Sequence, residues 1–325
     1  MLSKFLDPKN DVAFKKIFGS EKNKDILIHF LNDILGLIGS QKIRSVEFLS
    51  TIQDPDIAAK KQSIVDVLCQ DIEGAKYIIE MQVTKTKGFE KRAQYYAAKA
   101  YAQQADQGER YHDLKEIIFI AIADCVLFPN KAGYKSDHVI LDRESYDHDL
   151  KDFSFTFIEL PKFTKKEPSE LQTLVEKWCY FFKYADETKA DDLEKIIGSD
   201  QIIKRAYEAL DQFYWSENEL ALYERERKRI RDEAAVLAQK LDDAEEKGLQ
   251  RGLQQGEQRG ILKGLQQGLQ QGREQGEHGK AVAIAKKMFE AGMDRDTIKK
   301  VTDLSDPDLL QLIDELNDGH HDNQD

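Results

Sequence analysis

The sequence predicts an α/β domain that continues into a long helical C-terminal extension. Three observations carry this reading. Short β-rich runs at residues 64–70, 77–83 and 116–123 alternate with stretches of helical spacing through the first 215 residues. After Ser216 the texture changes: residues 217–247 are rich in Glu, Arg, Lys, Ala and Leu and hold no Gly or Pro. Glycine then recurs at every fourth position, at Gly248, Gly252, Gly256, Gly260, Gly264, Gly268, Gly272 and Gly276.

Composition narrows the class. The chain has 325 residues, 41% hydrophobic and 33% charged, enough apolar material for one domain of about 200 residues with appendages. No apolar run approaches the roughly 20 residues that span a bilayer, and the first residues carry no signal-peptide pattern. Cys69, Cys125 and Cys179 are far apart, which predicts neither a disulfide framework nor a zinc site. A cytoplasmic protein is expected. There is no HExxH spacing and no GxGxxG or GxxxxGK[ST] phosphate loop. The net charge of −12 is uneven. Residues 1–110 sum to +2, while residues 303–325 hold eight acids and no Lys or Arg. Any nucleic-acid surface is therefore expected in the N-terminal region.

The elements follow in order. Residues 11–18 read as the start of a helix, with Val12, Phe14, Ile17 and Phe18 in the core; Lys15 and Lys16 face either DNA or water. A hairpin spans residues 63–84. A helix follows at 90–104, with Tyr95 and Tyr101 expected in the core and Arg92 and Tyr96, four apart, on one face. Strands are expected at 116–123, 138–141 and 153–159, and helices near 168–184 and 191–213. The glycine segment reads as a helical spacer or self-association element, with a flexible linker as its rival. Eight interior glycines cost a solvated helix about 1 kcal/mol each relative to Ala. From Lys280, three short helices form a small module, resembling a helix-turn-helix. Its acidic last helix speaks against groove entry, so a docking role is open as well. The domains expected are thus 1–215, 216–279, 280–317 and a disordered acidic tail at 318–325.

The hairpin carries the chemistry. Asp66 and Glu80 sit where apolar residues are expected, and Gln82 shares the face of Glu80. A two-residue loop at 73–74 would pair Asp66 with Met81, on the opposite face. A three-residue loop at 72–74, with Gly74 in its left-handed last position, pairs Asp66 with Glu80 directly. The three-residue form is expected. It brings the two carboxylates about 5 Å apart at Cβ, which is unfavourable unless a cation lies between them. A hard divalent ion, Mg²⁺ or Mn²⁺, suits such oxygen ligands.

The pattern Asp66…Glu80-x-Gln82 resembles the PD-(D/E)XK nuclease core, with Gln in place of the usual Lys. Further motifs run from Asp11 through Phe14-Lys15-Lys16 to Gly19, and from Lys91-Arg92 through Tyr95-Tyr96 to Tyr101. A third is Gly108-x-x-Tyr111-x-x-Leu114, before an apolar strand. In this order, over about residues 5–185, they are similar to the Rpn family of recombination-promoting nucleases, often labelled transposases. The resemblance implies a restriction-endonuclease-like α/β fold, a mixed sheet flanked by helices. It also implies a metal-dependent DNA endonuclease linked to recombination. Asp66 and Glu80 would bind the metal, Gln82 would take the third motif position, and Asp11 would add a contact. Lys85, Lys87 or Arg92 could supply the charge that Gln82 lacks; the sequence does not rank them. Two rivals stand beside this: a DDE transposase using Asp66, Asp124 and Glu159, and a catalytically inactive, DNA-associated oligomeric scaffold.

Overall fold

A computed structural model describes residues 4–53, 63–105, 110–198 and 200–321. Gly108 and residues 322–325 lie outside these, so neither the Gly108 motif position nor the end of the expected tail is described.

The strands are β1 (Val46–Phe48), β2 (Ile52–Gln53), β3 (Ser63–Ile64), β4 (Val67–Asp71), β5 (Lys76–Gln82), β6 (Ile117–Ala123), β7 (Lys135–Val139) and β8 (Phe153–Glu159). The helices are α1 (Asp11–Phe18), α2 (Lys24–Leu35), α3 (Phe89–Ala102), α4 (Leu174–Tyr184), α5 (Ala190–Ile197), α6 (Gln201–Leu210), α7 (Glu217–Glu290), α8 (Arg295–Thr302) and α9 (Asp306–His321). Six strands form one mixed sheet in the order β1-β4-β5-β6-β8-β7. The three central strands β5, β6 and β8 are parallel, and the flanking pairs are antiparallel. β2 and β3 make a separate antiparallel pair.

The sheet separates two apolar layers. On one face Val67, Cys69, Tyr77, Ile79, Ile120 and Ile122 pack with α1, α2, α4 and α6, around Phe14, Phe18, Phe30, Trp178 and Phe182. On the other, Leu68, Ile78, Phe119 and Phe157 pack with Phe89, Ala93 and Ala97 of α3. All seven residues of β6 are buried, which is why IIFIAIA is apolar without alternation. This is the restriction-endonuclease-like α/β arrangement expected, with the long helix following it.

Several elements differ from expectation. α2 was not anticipated, although Ile26, Leu27, Phe30, Leu31 and Ile34 have helical spacing and are buried. The strand predicted at 64–70 breaks: a bend at Asp66 separates β3 from β4. β7 begins three residues and ends two residues earlier than predicted, and leaves Ile140 and Leu141 exposed on the way out. The helix predicted at 191–213 is two helices. Gly198 at φ +55° ends α5, and the Asp200 side chain caps α6 by accepting from the Ile202 and Ile203 N–H groups. Tyr95 is 48% exposed rather than in the core; Tyr101 is half-buried against Phe153, 4.8 Å between ring centroids.

Two compact units are present, Met1–Glu233 and Ala234–Asp325. The root of α7 belongs to the first: the Tyr223 hydroxyl accepts from the Asp7 N–H at 3.0 Å, and Asn10 Nδ2 donates to the Tyr223 carbonyl. The second unit has its own small core, in which Ala285 of α7 meets Ile298, Leu304, Leu309 and Leu312. Asp294 caps α8, and α9 continues to His321, past the expected start of a disordered tail at residue 318. The glycine segment is helical throughout, in one unbroken α7. No described helix is long and apolar enough to cross a membrane.

Candidate active site

The hairpin register decides the site. Val67 pairs with Ile79, Leu68 with Ile78, Cys69 with Tyr77 and Gln70 with Lys76, which brings Asp66 opposite Glu80. The turn is the three-residue one: the Asp71 N–H donates to the Ala75 carbonyl, the Gly74 N–H to the Asp71 carbonyl, and Gly74 has φ +89°. The acids are also tied to each other's backbone. The Asp66 N–H donates to Glu80 Oε1 at 3.2 Å, and Asp66 Oδ2 accepts from the Met81 N–H at 2.8 Å. The bend at Asp66 thus turns its carboxylate toward β5 in place of a ladder bond.

Burial makes this pair unusual. Glu80 is 6% exposed, at the end of an apolar layer. Burial pushes the Asp66 carboxyl up to about 6, although the Met81 N–H, Lys15 and Arg92 pull the other way. Burial and then the Asp66 charge push Glu80 up to about 8. Asp66 Oδ1 and Glu80 Oε2 accept no hydrogen bond from any described residue. A buried and a partly buried carboxylate side by side, each with free lone pairs, fit a hard divalent cation. Among the described residues no third His, Cys, Asp or Glu joins them to make a complete cage.

Helices on both faces of the sheet reach the pair. From α1, Lys15 Nζ pairs with Asp11 Oδ1 at 2.7 Å and lies 3.9 Å from Asp66 Oδ1. Burial opposes the Lys15 charge, but the Asp11 hydrogen bond and the Asp66 and Glu80 charges outweigh it and raise its pKa. From α3, Arg92 Nη2 donates to Gln82 Oε1 at 2.5 Å, and its guanidinium lies 4.8 Å from the Phe89 ring centroid and 6.0 Å from that of Tyr96. The structure thus gathers Asp66, Glu80, Gln82, Asp11, Lys15, Arg92 and Tyr96. It does not gather the others. Lys16 turns away, 4.1 Å over the Trp215 ring and paired with Glu219 at 2.6 Å. Lys85 and Lys87 are exposed on the connection between β5 and α3. Sequence reasoning missed Thr84 and Thr86, to which the Gln82 amide donates.

The DDE arrangement is not present. The Asp124 carboxylate pairs with Lys9 at 3.3 Å. Glu159, 1% exposed, accepts from the Leu127 and Phe128 N–H groups and from Lys162 at 2.7 Å. Both acids are committed to the local fold, and Asp66 faces Glu80 instead.

Residues 8–240 match the family model described as PD-(D/E)XK nuclease family transposase. Residues 278–314 match that of the Rpn/YhgA-like nuclease family C-terminal HTH domain, which covers the small core of the second unit. No curated protein and no solved structure matches the chain. Both descriptions give it a nuclease- or transposase-like role. With most of its length under the first model, the chain belongs to the PD-(D/E)XK nuclease family transposases, of the Rpn type.

Proposed function

We propose that the chain is a DNA endonuclease that hydrolyses phosphodiester bonds with Mg²⁺ or Mn²⁺, acts in the cytoplasm, and serves DNA recombination or mobile-element transfer. The observation that carries this is the Asp66–Glu80 pair, a buried and a partly buried carboxylate held face to face with raised pKa values and open lone pairs. Asp66 and Glu80 hold the cation. When bound, a divalent ion lowers the pKa of a water and neutralises charge that develops on the phosphate. The Met81 N–H fixes the Asp66 carboxylate, so little reorganisation is needed when the ion enters. Asp11 keeps Lys15 beside the pair, and Lys15, Arg92 and Tyr96 line the approach of the DNA backbone. Lys85 and Lys87, exposed nearby, add electrostatic attraction for phosphates. Lys16 is engaged by Glu219 and drops out of this surface.

Self-association through α7 belongs to the same reading. Leu249, Leu253, Leu265 and Leu269 are 60–67% exposed beside glycines whose absent side chains meet nothing within 4 Å. A second copy would cover that face.

The test is plasmid nicking by purified protein in Mg²⁺ or Mn²⁺. Wild type is expected to nick, and Asp66→Ala and Glu80→Ala to abolish nicking while retaining the fold by circular dichroism. Equal nicking by all three would remove these residues from the site. Absence of nicking by wild type in either metal would favour the inactive DNA-associated scaffold.

A further inference from the structure

Position 82 holds glutamine where the PD-(D/E)XK motif has a lysine, and its surroundings show what the amide does. Gln82 is 7% exposed. Its amide nitrogen donates to the Thr84 carbonyl and lies 3.5 Å from Thr86 Oγ1. Its amide oxygen accepts from Arg92 Nη2 at 2.5 Å. A carbonyl acceptor on one side and a guanidinium donor on the other settle which end of the amide is oxygen. Both ends are engaged by the protein.

Arg92 is held but not satisfied. Gln82 takes one Nη2 hydrogen, and Phe89 and Tyr96 border the guanidinium plane. The Arg92 Nε is buried and has no acceptor among the described residues. A planar guanidinium donates in parallel pairs to phosphate oxygens, and a buried donor without an acceptor is the end that a substrate oxygen can complete. The other nearby cation, Lys15, already donates to both oxygens of Asp11.

We propose that Gln82 is a positioning residue for Arg92, and that Arg92 brings to the scissile phosphate the positive charge that a lysine at position 82 would otherwise supply. The inference rests on the nuclease reading above and adds to it a division of labour between β5 and α3. It has an unusual consequence. A lysine at position 82 has no acceptor for Arg92 and places a second positive charge against it. Placing the motif lysine at position 82 would therefore harm the protein, except where Arg92 is absent.

The experiment compares Gln82→Lys and Gln82→Met, each alone and combined with Arg92→Ala, together with Arg92→Ala and Lys15→Ala, with wild type; the double variant below is Gln82→Lys with Arg92→Ala. Two readouts are used: the rate of plasmid nicking in Mg²⁺, and the Kd for a short fluorescein-labelled duplex DNA in Ca²⁺. Melting curves confirm folding. Gln82→Lys, Gln82→Met and Arg92→Ala are each expected to lower nicking and weaken binding by about ten- to a hundredfold, the loss of one charge-assisted hydrogen bond. Gln82→Lys with Arg92→Ala is expected to recover to within about tenfold of wild type, since a lone lysine then replaces the lost charge. Gln82→Met, which adds no charge, would show no such rescue in the Arg92→Ala background, and it stands in should Gln82→Lys fail to fold. Faster nicking by Gln82→Lys alone would overturn the proposal. So would a double variant no better than Arg92→Ala, or loss with Lys15→Ala but not with Arg92→Ala. If wild type does not nick, the nuclease reading falls and the Kd series alone decides. The same ordering then upholds Arg92 as a phosphate contact held by Gln82, and equal Kd values across the set overturn it.

Discussion

Replacing Gly74 separates what the hairpin loop contributes from what the sheet contributes. Gly74 sits at φ +89°, closing the three-residue loop between Asp71 and Ala75. The Asp71 side chain steadies this loop: Oδ1 accepts from the Glu73 and Ala75 N–H groups, and Oδ2 accepts from the Tyr77 hydroxyl at 2.8 Å. Alanine at this φ costs about 1–2 kcal/mol in backbone conformation. Its Cβ would lie 3.1 Å from Lys115 Cγ, but that side chain is flexible and exposed, so it swings aside and adds little. Asparagine tolerates a left-handed backbone and is expected to cost about half as much. The register should survive. β5 is also paired with β6, Lys76 against Ile117 through Gln82 against Ala123, and a one-residue slip of β4 would turn Leu68 out of its layer. Urea denaturation followed by the fluorescence of Trp178 and Trp215 measures the stability, and nicking per folded molecule measures the site. A Gly74→Ala cost below about 0.5 kcal/mol, the range of an ordinary surface change, would refute the argument from positive φ. Full stability loss accompanied by loss of nicking in protein that remains folded would show that the loop, not the sheet, sets the register of Asp66 against Glu80.

Three further outcomes are expected. Trp178 is fully buried and its Nε1 donates to Asp33 Oδ2 at 2.8 Å, so Trp178→Phe should lose about 2–3 kcal/mol in chemical denaturation, from a partial cavity and an Asp33 oxygen left without its donor. Burial pushes the Asp7 carboxyl from 3.8 up to about 6, against the pull of Lys9. The fold favours the neutral acid, so its stability contribution is full below pH 3.8 and is lost as pH rises through about 6. Asp7→Asn should therefore melt above wild type at neutral pH and converge with it in acid. In α7, Gly256→Ala with Gly264→Ala should raise helix stability of the separated chain by about 1 kcal/mol per site. The same change should lower the assembled mass in sedimentation, because the added methyl groups hold the copies apart; an unchanged mass would remove these glycines from any interface.

Much of the fold could be read locally. β8 has the predicted bounds and α1 the predicted start because each is a short segment whose spacing matches its burial, and Asn10 caps α1 by accepting from the Val12 N–H. The hairpin loop could be read because a three-residue turn needs a left-handed last residue and Gly74 stands there. The misreadings have a common cause. Whether an apolar or aromatic residue is covered depends on partners far along the chain. Tyr95 stays exposed because α3 meets the sheet through Phe89, Ala93 and Ala97, one turn apart, and Tyr95 lies off that face. Residues 191–213 have helical composition throughout, yet Gly198 and the Asp200 cap divide them.

The structure decided that the glycine segment is helical rather than a flexible linker. By itself the sequence determined the α/β class, most elements of the core apart from α2, and the facing of Asp66 and Glu80. These depend on spacing, turn chemistry and side-chain alternation, which act over a few residues. The tertiary structure decided which charges reach that pair. Lys15 and Lys16 are neighbours in the chain, yet one lies beside Asp66 and the other over Trp215, because adjacent residues on a helix point about 100° apart and meet different elements. Arg92 lies ten positions from Gln82 in the chain and meets it only because α3 packs back across the sheet. Alternation along a strand fixes which face a residue takes, but packing between distant segments fixes what it meets there.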